Sequence, residues 1–495
     1  MTDRTLARSS RMLWWTLAIV ALARFLTLGL YPLTDTTEAR YAEVARKMVE
    51  LNDWITPWYD YGVPFWAKPP LSTWFTAASL KLFGINEFAA RLPYFLLALL
   101  IAWLMWNWTR RRSAREALLA VGLLSGTMLY FIASAAVMTD LALVLGTTLA
   151  MRGFWTAFEE PALARPNEKW LLFASLGIGM LAKGPIAVVL TGVPIVLWAV
   201  VTGNVFATFK RLPWIRGTLL TLAIALPWYW IAEIRTPGFW EYFFIGEHWK
   251  RFTVTGWTGD KYGTAHATAR GAIWLLAIAA CLPWTALLPF MVIGRKVAIV
   301  LPAATPTPAE RTEKHSRRLY LLAWAISPCL FFTMSGNILW TYVLPALPAL
   351  AMLAGGWLAA DARVRRVDLL VASGVVFMAL LIAAFFINQQ LADSWKTAKA
   401  AVTQYHARNT RSLPLLFMGD LPYSASFYSQ GKAKAVAGNV ELATRLASED
   451  AFVVLSPDQV KELTPPLKAM LSLEAKSGVY NLYLYLHHDP AAAQR

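Results

Sequence analysis

Long apolar runs separated by short polar connections dominate the hydrophobic pattern of this chain. The first run, Met12 to Leu30, is long enough to cross a bilayer. Further runs follow at roughly 90–108, 117–134, 138–157, 169–182, 185–202, 217–233, 271–293, 319–335, 340–359 and 367–388. With the first run they make about eleven predicted spans. We therefore expect an α-helical polytopic membrane protein.

Composition agrees with this class and narrows the possible partners. The 495 residues are 57% hydrophobic and only 15% charged, which is unusual for a soluble domain. The net charge of +16 comes from short Lys and Arg clusters beside apolar runs, so we interpret it as a topology signal rather than a nucleic-acid surface. With the basic N-terminus inside, the loops 32–89 and 234–270 and the C-terminal tail are predicted to lie outside. We expect membrane lipids and no nucleic acid as partners.

The first outer loop is polar, acidic and aromatic, and it is a candidate site. Tyr41, Val44, Ala45 and Met48 recur at helical spacing, which predicts a short amphipathic helix on the membrane surface. The spacing of Asp35 and Glu38 is that of a capping box, in which both carboxylates satisfy the first turn of a helix. The alternative is chemical, because Arg40 and Lys68 share the loop, and a base beside cations suits sugar transfer from a lipid phosphate.

Two predicted outside turns carry further ionisable residues beside spans. Asp140 is the last residue of MTD and stands at the start of an apolar run; it either caps that helix or faces water or a cavity, and the pattern does not decide between them. Lys183 precedes Gly184-Pro185, which breaks a helix. Its side chain either snorkels to the interface or binds a phosphate, and we favour the phosphate.

The loop 234–270 contains an aromatic belt followed by charged residues. Glu247 and His248 are adjacent, an arrangement more often structural than metal-binding, since no nearby His or Cys supplies the usual ligand spacing. Arg251 has the planar fork that suits a phosphate or carboxylate, although an interface anchor is the simpler interpretation. We expect no cofactor, and the spacing does not favour a metal.

The composition changes near residue 389. Strand-like runs LPLLFMG, AFVVLS and VYNLYLYL alternate with helix-like segments NVELATRLAS and PDQVKELTPPLKAML. The sequence therefore predicts a membrane domain over 1–388 and a small soluble α/β domain over 389–495 on the outer face. No nucleotide-binding glycine loop or catalytic triad signature occurs in that tail.

Several motifs in this order resemble one family. The run TEARYAEVARKMVELNDWITPWYDYGVPFWAKPPL, then MTD at 138–140, LAKGP at 181–185 and PGFWEYFFIGEHWKRF at 237–252, is similar to ArnT-type lipid A aminoarabinose transferases and related members of the protein O-mannosyltransferase superfamily. The resemblance covers most of the membrane portion. It implies a GT-C fold with about 11–13 spans and a periplasmic tail domain.

The resemblance also implies a reaction and assigns roles to residues. It implies an inverting glycosyltransferase of the bacterial inner membrane, with its site facing the periplasm. The donor would be a polyprenyl-phosphate-linked sugar, either 4-amino-4-deoxy-L-arabinose or another pentose or hexose, and the acceptor a glycolipid such as lipid A, another glycan or a protein. Asp140 matches a family carboxylate, and Lys68 and Lys183 match its phosphate-binding lysines. With the candidates argued from the residues themselves, the predicted site consists of the catalytic carboxylates Asp35, Glu38 and Asp140, the phosphate-binding cations Arg40, Lys68, Lys183 and Arg251, and the further site residues Tyr41, Glu247 and His248.

The chain departs from the family pattern at three places, one of which is the turn SGNILWTY at 335–342, where ArnT-type chains carry a lysine. Where the family has an acidic pair before Arg-Tyr, this chain has Thr37-Glu38, with Asp35 two positions earlier. We predict Asp35 as the base and keep Glu38 as the alternative. Ala67 replaces the Glu that precedes Lys-Pro-Pro and is associated with zinc in ArnT-type enzymes, which argues against a metal at His248.

A transporter or flippase is the alternative function, because many spans with ionisable residues also suit a substrate pathway. The charged residues gather at one predicted face rather than at the bilayer midplane, and no inverted halves are apparent in the sequence. We therefore favour the transferase.

Overall fold

The computed structural model describes residues 3–159, 167–263, 267–287, 308–360 and 367–486. In its first half the elements are α1 Asp3–Leu26, α2 Thr37–Glu50, β1 Trp58–Asp60, β2 Val63–Pro64, α3 Leu71–Phe83, α4 Glu87–Thr109, α5 Ala114–Ser125, α6 Met128–Ala133, α7 Asp140–Phe158, α8 Glu168–Lys183, α9 Ile186–Val201, α10 Val205–Arg211 and α11 Trp214–Arg235. A π-helix, Glu241–Lys250, continues into α12 Arg251–Thr253, and α13 Ala272–Ala280 follows.

Helices also dominate the second half until the tail. They are α14 Pro308–Phe332, a 3₁₀-helix Trp340–Ala346, α15 Leu347–Ala360, α16 Val367–Leu391 and α17 Lys399–Arg408. The remaining elements are β3 Leu415–Met418, α18 Tyr423–Tyr428, β4 Ala433–Val436, α19 Asn439–Leu446, β5 Ala451–Leu455, α20 Pro457–Glu462, α21 Pro465–Met470, β6 Ser472–Ser477 and β7 Tyr480–Tyr485.

The predicted helical membrane class is confirmed. Five segments among the described residues are long and apolar enough to cross a membrane: Glu87–Thr109, Asp140–Phe158, Trp214–Arg235, Trp340–Ala360 and Val367–Leu391. One predicted span is interrupted, because the apolar run 117–134 forms α5 and α6 with a break at Gly126-Thr127. Of the predicted span 271–293, only residues 271–287 are among the described residues.

The chain divides into two compact units. The first, called the membrane unit, consists of Met1–Leu26, Asp53–Phe75 and Arg91–Ile382. The second, called the tail unit, consists of Thr27–Asn52, Thr76–Ala90 and Ala383–Arg495. Part of the first predicted outer loop therefore belongs with the tail, and the domain boundary at 388/389 stays a prediction.

The tail unit contains a five-stranded sheet in the order β4-β3-β5-β7-β6. Strand β3 pairs in parallel with β4 and β5, whereas β7 is antiparallel to β5 and β6. Successive residues of β3 pack on opposite faces, Leu415 and Phe417 in one core and Leu416 and Met418 in the other. Burial of both faces explains why its sequence is continuously apolar.

The tail sequence predicted the three apolar strands β3, β5 and β7 but missed β4 and β6. The missed strands, AKAV and SLEAKS, lie at the two edges of the sheet and carry lysines, so they lack the apolar signal on which the prediction rests. The helix-like segment PDQVKELTPPLKAML forms two short helices, because Pro465 begins a new one.

Helix α2 forms where its periodicity predicts it, but its polar side is not exposed. Glu43, Arg46 and Lys47 are buried, although the helical periodicity places Glu43 and Lys47 on faces other than the apolar one. Glu43 accepts two hydrogen bonds from Arg46, at 2.6 and 2.8 Å, and this pairing satisfies the buried charges. Within the tail unit, α18 packs against α2.

Candidate active site

The membrane unit encloses a cavity of about 460 Å³. Six predicted site residues line it: Lys68, Asp140, Lys183, Glu247, His248 and Arg251. The rest of its wall is largely aromatic and aliphatic, with Phe244, Phe331, Phe332 and Tyr342 among its residues. A mostly apolar cavity with a few convergent charged groups is the usual form of a small-molecule site.

Asp140 and Lys183 meet because two antiparallel helices bring their ends together. Asp140 is the first residue of α7 and Lys183 the last residue of α8, which suits an acid at a helix N-terminus and a base at a C-terminus. The Nζ of Lys183 lies 2.6 Å from Oδ1 of Asp140. Asp140 therefore points into the cavity, and no side-chain capping bond is present at Thr139, the N-cap of α7.

Glu247 joins two cations at another part of the cavity. Its carboxylate accepts a hydrogen bond from Lys68 at 3.1 Å, and both of its oxygens accept bonds from Arg251 at 3.1 Å. Arg251 also contacts Asp260 at 3.3 Å. Burial opposes ionisation of Glu247, but Lys68 and Arg251 outweigh it and hold the pKa of Glu247 below its usual value. Glu247 is thus a charged counter-ion that fixes both cations.

Glu247 and His248 lie in a π-helix, a rare conformation that often occurs at functional sites. Its five-residue repeat places Tyr242 against Glu247, with the Tyr242 hydroxyl donating to Oε1 at 3.2 Å. The same spacing brings Nδ1 of His248 to 2.8 Å from the carbonyl oxygen of Phe243. No sequence pattern predicted this conformation, since the aromatic belt indicated only a loop at the interface.

His248 lies in the cavity wall and is held by its own helix. Its Nδ1 is engaged with the Phe243 carbonyl, and the described residues contain no group of three or more His, Cys, Asp and Glu able to hold a metal. Gly184, at φ +86°, allows the ring to approach, because a Cβ there would lie 2.9 Å from Nε2. Burial lowers the pKa of His248, so its neutral form is favoured.

Sequence reasoning missed Asn337 and Tyr342, which also line the cavity. The Asn337 amide donates to the carbonyl oxygens of Arg251 and Val254 and accepts a bond from the Gly256 amide at 3.2 Å. It therefore fixes the chain that carries Arg251. The Nζ of Lys183 lies 4.9 Å from the centroid of the Tyr342 ring, within cation–π range. The only sequence signal for Asn337 and Tyr342 was the turn SGNILWTY, which differs from the corresponding turn of ArnT-type chains.

The remaining predicted site residues, Asp35, Glu38, Arg40 and Tyr41, belong to the tail unit. Asp35 does not cap α2, whose N-cap is Thr36 without a side-chain bond. Instead its carboxylate accepts hydrogen bonds from the amide of Ser424, at 3.0 Å, and from the Ser424 hydroxyl. Burial raises the pKa of Asp35, although the bonds from Ser424 oppose the shift.

Glu38 and Arg40 have local partners within the same unit. An oxygen of Glu38 accepts a bond from the Thr34 amide at 3.4 Å, and the Asp35 amide donates to the Lys396 carbonyl oxygen, so the predicted capping box is not formed. The guanidinium carbon of Arg40 lies 5.5 Å from the centroid of the Tyr41 ring and 5.9 Å from that of Tyr423. Arg40 and Tyr41 therefore form one aromatic–cation cluster with Tyr423.

Comparisons with known proteins agree with the fold and the motifs. The family described as dolichyl-phosphate-mannose-protein mannosyltransferase matches residues 17–243. An undecaprenyl phosphate-alpha-4-amino-4-deoxy-L-arabinose arabinosyl transferase from Aeromonas hydrophila is 32% identical over 333 residues, which are 65% of this chain and 55% of the relative. The corresponding protein of Aeromonas salmonicida is 32% identical over 356 residues, which are 68% of this chain and 58% of the relative. The chain thus spans somewhat more than half the length of these curated relatives.

Two solved structures share the fold over nearly the whole chain. ArnT from Cupriavidus metallidurans bound to undecaprenyl phosphate superposes with a TM-score of 0.75 at 21% identity, covering 96% of this chain and 98% of that one. Its apo form gives a TM-score of 0.74 at 22% identity, with coverage of 95% and 97%. The resemblance carried by the motifs is therefore confirmed: the chain is ArnT-like and has the GT-C fold of the protein O-mannosyltransferase superfamily.

Proposed function

We propose that this protein transfers a sugar from a polyprenyl-phosphate carrier to a glycolipid, glycan or protein acceptor. The observation that carries the proposal is the set of three cations, Lys68, Lys183 and Arg251, around one cavity of about 460 Å³. The names of the curated relatives and the undecaprenyl phosphate bound to the ArnT structure support a lipid-phosphate donor. In this proposal the sugar is 4-amino-4-deoxy-L-arabinose or another pentose or hexose.

The cations are arranged for a phosphate that gains charge as it leaves. The two cavity carboxylates, Asp140 and Glu247, each hold a cation in place without occupying all of its donors, since a lysine has three and an arginine five. A donor phosphate can therefore bind to prepositioned ammonium and guanidinium groups. Such preorganised charge lowers the barrier because it needs no rearrangement when negative charge develops.

The proposed reaction is a single inverting displacement at the anomeric carbon. The acceptor hydroxyl loses its proton to a carboxylate, and its oxygen bonds to the anomeric carbon on the face opposite the phosphate. The bond from that carbon to the phosphate oxygen breaks, and the phosphate leaves with the electron pair. From the sequence motif we assign the base to Asp35, with Glu38 as the alternative and Asp140 as the carboxylate that positions Lys183. Arg40 and Tyr41 are assigned from the same motif.

The proposed donor determines where in the cell the protein would act. A polyprenyl tail needs a bilayer, and the membrane unit supplies spans on which that tail can pack while its phosphate reaches the cavity. We place the protein in the bacterial inner membrane, with the site facing the periplasm and the tail domain on the same side.

The test is mass spectrometry of lipid A and of polyprenyl-phosphate sugars from cells with and without the gene. The proposal predicts that deletion removes a sugar from an acceptor and that the lipid-linked sugar accumulates. Loss of a lipid A mass shift would name both sugar and acceptor. An unchanged lipid A with an accumulating donor would direct the search to another glycan or a protein, whereas no change in any lipid-linked sugar would refute the proposal.

A further inference from the structure

Helix α18 of the tail unit holds the chain segment that leads into α2. Near its start, the Ser424 side chain contacts the carboxylate of Asp35. At its end, the Tyr428 hydroxyl accepts a hydrogen bond from the Leu33 amide at 2.7 Å and donates one to Glu87 at 3.0 Å. The segment around Asp35 is therefore fixed by a helix that lies 389 to 395 residues further along the sequence.

Ser424 donates to both oxygens of the Asp35 carboxylate. Its amide donates to Oδ1 at 3.0 Å, and its hydroxyl donates to Oδ2. The hydroxyl also accepts a hydrogen bond from the Ala398 amide at 2.9 Å, and Ser424 is fully buried. A serine hydroxyl has one proton and two lone pairs, so the amide that occupies a lone pair leaves the proton directed at Asp35. One buried residue thus fixes the plane of this carboxylate.

The backbone of Asp35 is held by the same part of the tail. Its amide donates to the Lys396 carbonyl oxygen at 2.8 Å, two residues before Ala398. The two bonds from Ser424 use two of the roughly four lone-pair positions of a carboxylate, so Asp35 keeps the capacity to accept a proton. Asp35 is also only partly buried. Its carboxylate is therefore oriented by the tail without being fully enclosed.

We propose that Ser424 is a positioning residue for sugar transfer, which holds the Asp35 carboxylate in the orientation that takes the acceptor's proton. The tail domain then contributes to catalysis through Ser424, although this residue acts only through Asp35. The inference rests on the proposed function and on Asp35 as its base. A general base must lie within hydrogen-bond reach of the proton it takes, so a carboxylate that loses its orientation reacts more slowly.

The experiment measures transfer of a labelled sugar from polyprenyl phosphate by the full chain in detergent, with lipid A, another glycan or protein as acceptor. Ser424→Ala should lower kcat about tenfold, the effect of losing one hydrogen bond to a charged group, and leave the KM for the donor unchanged. Ser424→Cys keeps the size of the side chain but offers only a weak donor, so it should show the same loss. The matched control is Ser426→Ala in the same helix, two positions on and on another face, which should keep the wild-type kcat.

Asp35→Asn provides the background that separates positioning from a general weakening of the fold. In that background Ser424→Ala should cause no further loss of kcat, because Ser424 acts through the carboxylate, whereas a structural defect would lower both rates equally. Wild-type kcat in both Ser424→Ala and Ser424→Cys, equal losses in the two backgrounds, or full activity of Asp35→Asn would overturn the inference and leave the transferase standing. A wild type that transfers sugar to none of the three acceptors would refute the proposed function, and the inference with it.

Discussion

The ammonium nitrogen of Lys183 lies 2.6 Å from a carboxylate oxygen of Asp140, although the two residues are 43 positions apart in the sequence. Both side chains line the cavity of about 460 Å³ in the membrane unit. Their pairing gives the cation a fixed position, because a lysine side chain otherwise has four rotatable bonds and a large rotamer entropy to lose. In the proposed function this pair holds one of the charges that receive the leaving phosphate.

Lys183→Met should lower kcat by about 10²–10³, the usual effect of removing one preorganised donor to a developing oxyanion. Asp140→Asn should have a smaller effect, since it leaves the cation in place and removes only its anchor. Steady-state transfer kinetics with a lipid-linked sugar measure both. Lys169→Met is the matched control, an exposed lysine in the same helix α8, and it should retain full activity. Activity of Lys183→Met equal to that of this control would show that Lys183 does not bind the donor phosphate.

Glu247→Gln should destabilise the protein more than any surface substitution in the same helix. Lys68 and Arg251 would lose their shared counter-ion, whose side chain is 3% exposed. Breaking a buried ion pair by removing one partner typically costs about 3–5 kcal/mol. Thermal unfolding in detergent should therefore show a clear decrease in Tm. Glu241→Gln, at an exposed position of the same π-helix, should not change the Tm; equal Tm values for the two variants would mean that the Glu247 cluster contributes little to stability.

Stability should depend on pH through His248. Burial lowers its pKa, so the folded state favours the neutral ring. A group with a depressed cationic pKa contributes stability above its unfolded pKa of about 6.5, and that contribution is lost as the pH falls toward the folded pKa. The Tm should thus decline below about pH 6.5, and His248→Gln should flatten that decline. An identical pH profile in wild type and variant would refute this assignment.

Asp35→Asn should lower the rate of sugar transfer without lowering the stability of the fold. Burial raises the pKa of Asp35, so replacing the carboxylate by a neutral amide removes the cost of burying a charge, and the amide can still accept a bond from the Ser424 amide. The Tm should therefore change little. If Asp35 is the base, kcat should fall by about 10²–10⁴. Glu38→Gln is the comparison variant, and a larger loss there than in Asp35→Asn would move the base to Glu38.

Sequence patterns identified the candidate site residues that have a recognisable local context. Asp140 and Lys183 stand at helix ends, one beside a polar turn and the other beside Gly184-Pro185, so each was recognisable by itself. Their partners in space were not, because a contact across 43 residues has no local signal. The same holds for Asp35, whose partner Ser424 is 389 residues away. Asn337 was missed because its role depends entirely on the backbone groups it meets.

Burial of charge was the least predictable property. The polar side of α2 was expected in water, yet Glu43 and Arg46 are each 1% exposed. Helical periodicity reports which face is apolar but not whether a second element covers the polar face. Charged residues usually indicate an exposed face. In a buried ion pair such as Glu43 and Arg46 this interpretation fails, because the attraction between the two charges replaces their hydration.

Sugar transfer from a polyprenyl phosphate at the charged cavity is tested best with purified protein. Wild type and Lys183→Met would be incubated with a radiolabelled polyprenyl-phosphate sugar and, in separate reactions, with lipid A, another glycan or protein, and the label would be followed from donor to acceptor. The wild type should release polyprenyl phosphate and move the label to one of these acceptors, whereas Lys183→Met should do so about 10²–10³ more slowly. Donor that remains intact with every acceptor offered (lipid A, another glycan and protein), or equal rates for the two proteins, would contradict sugar transfer at this cavity.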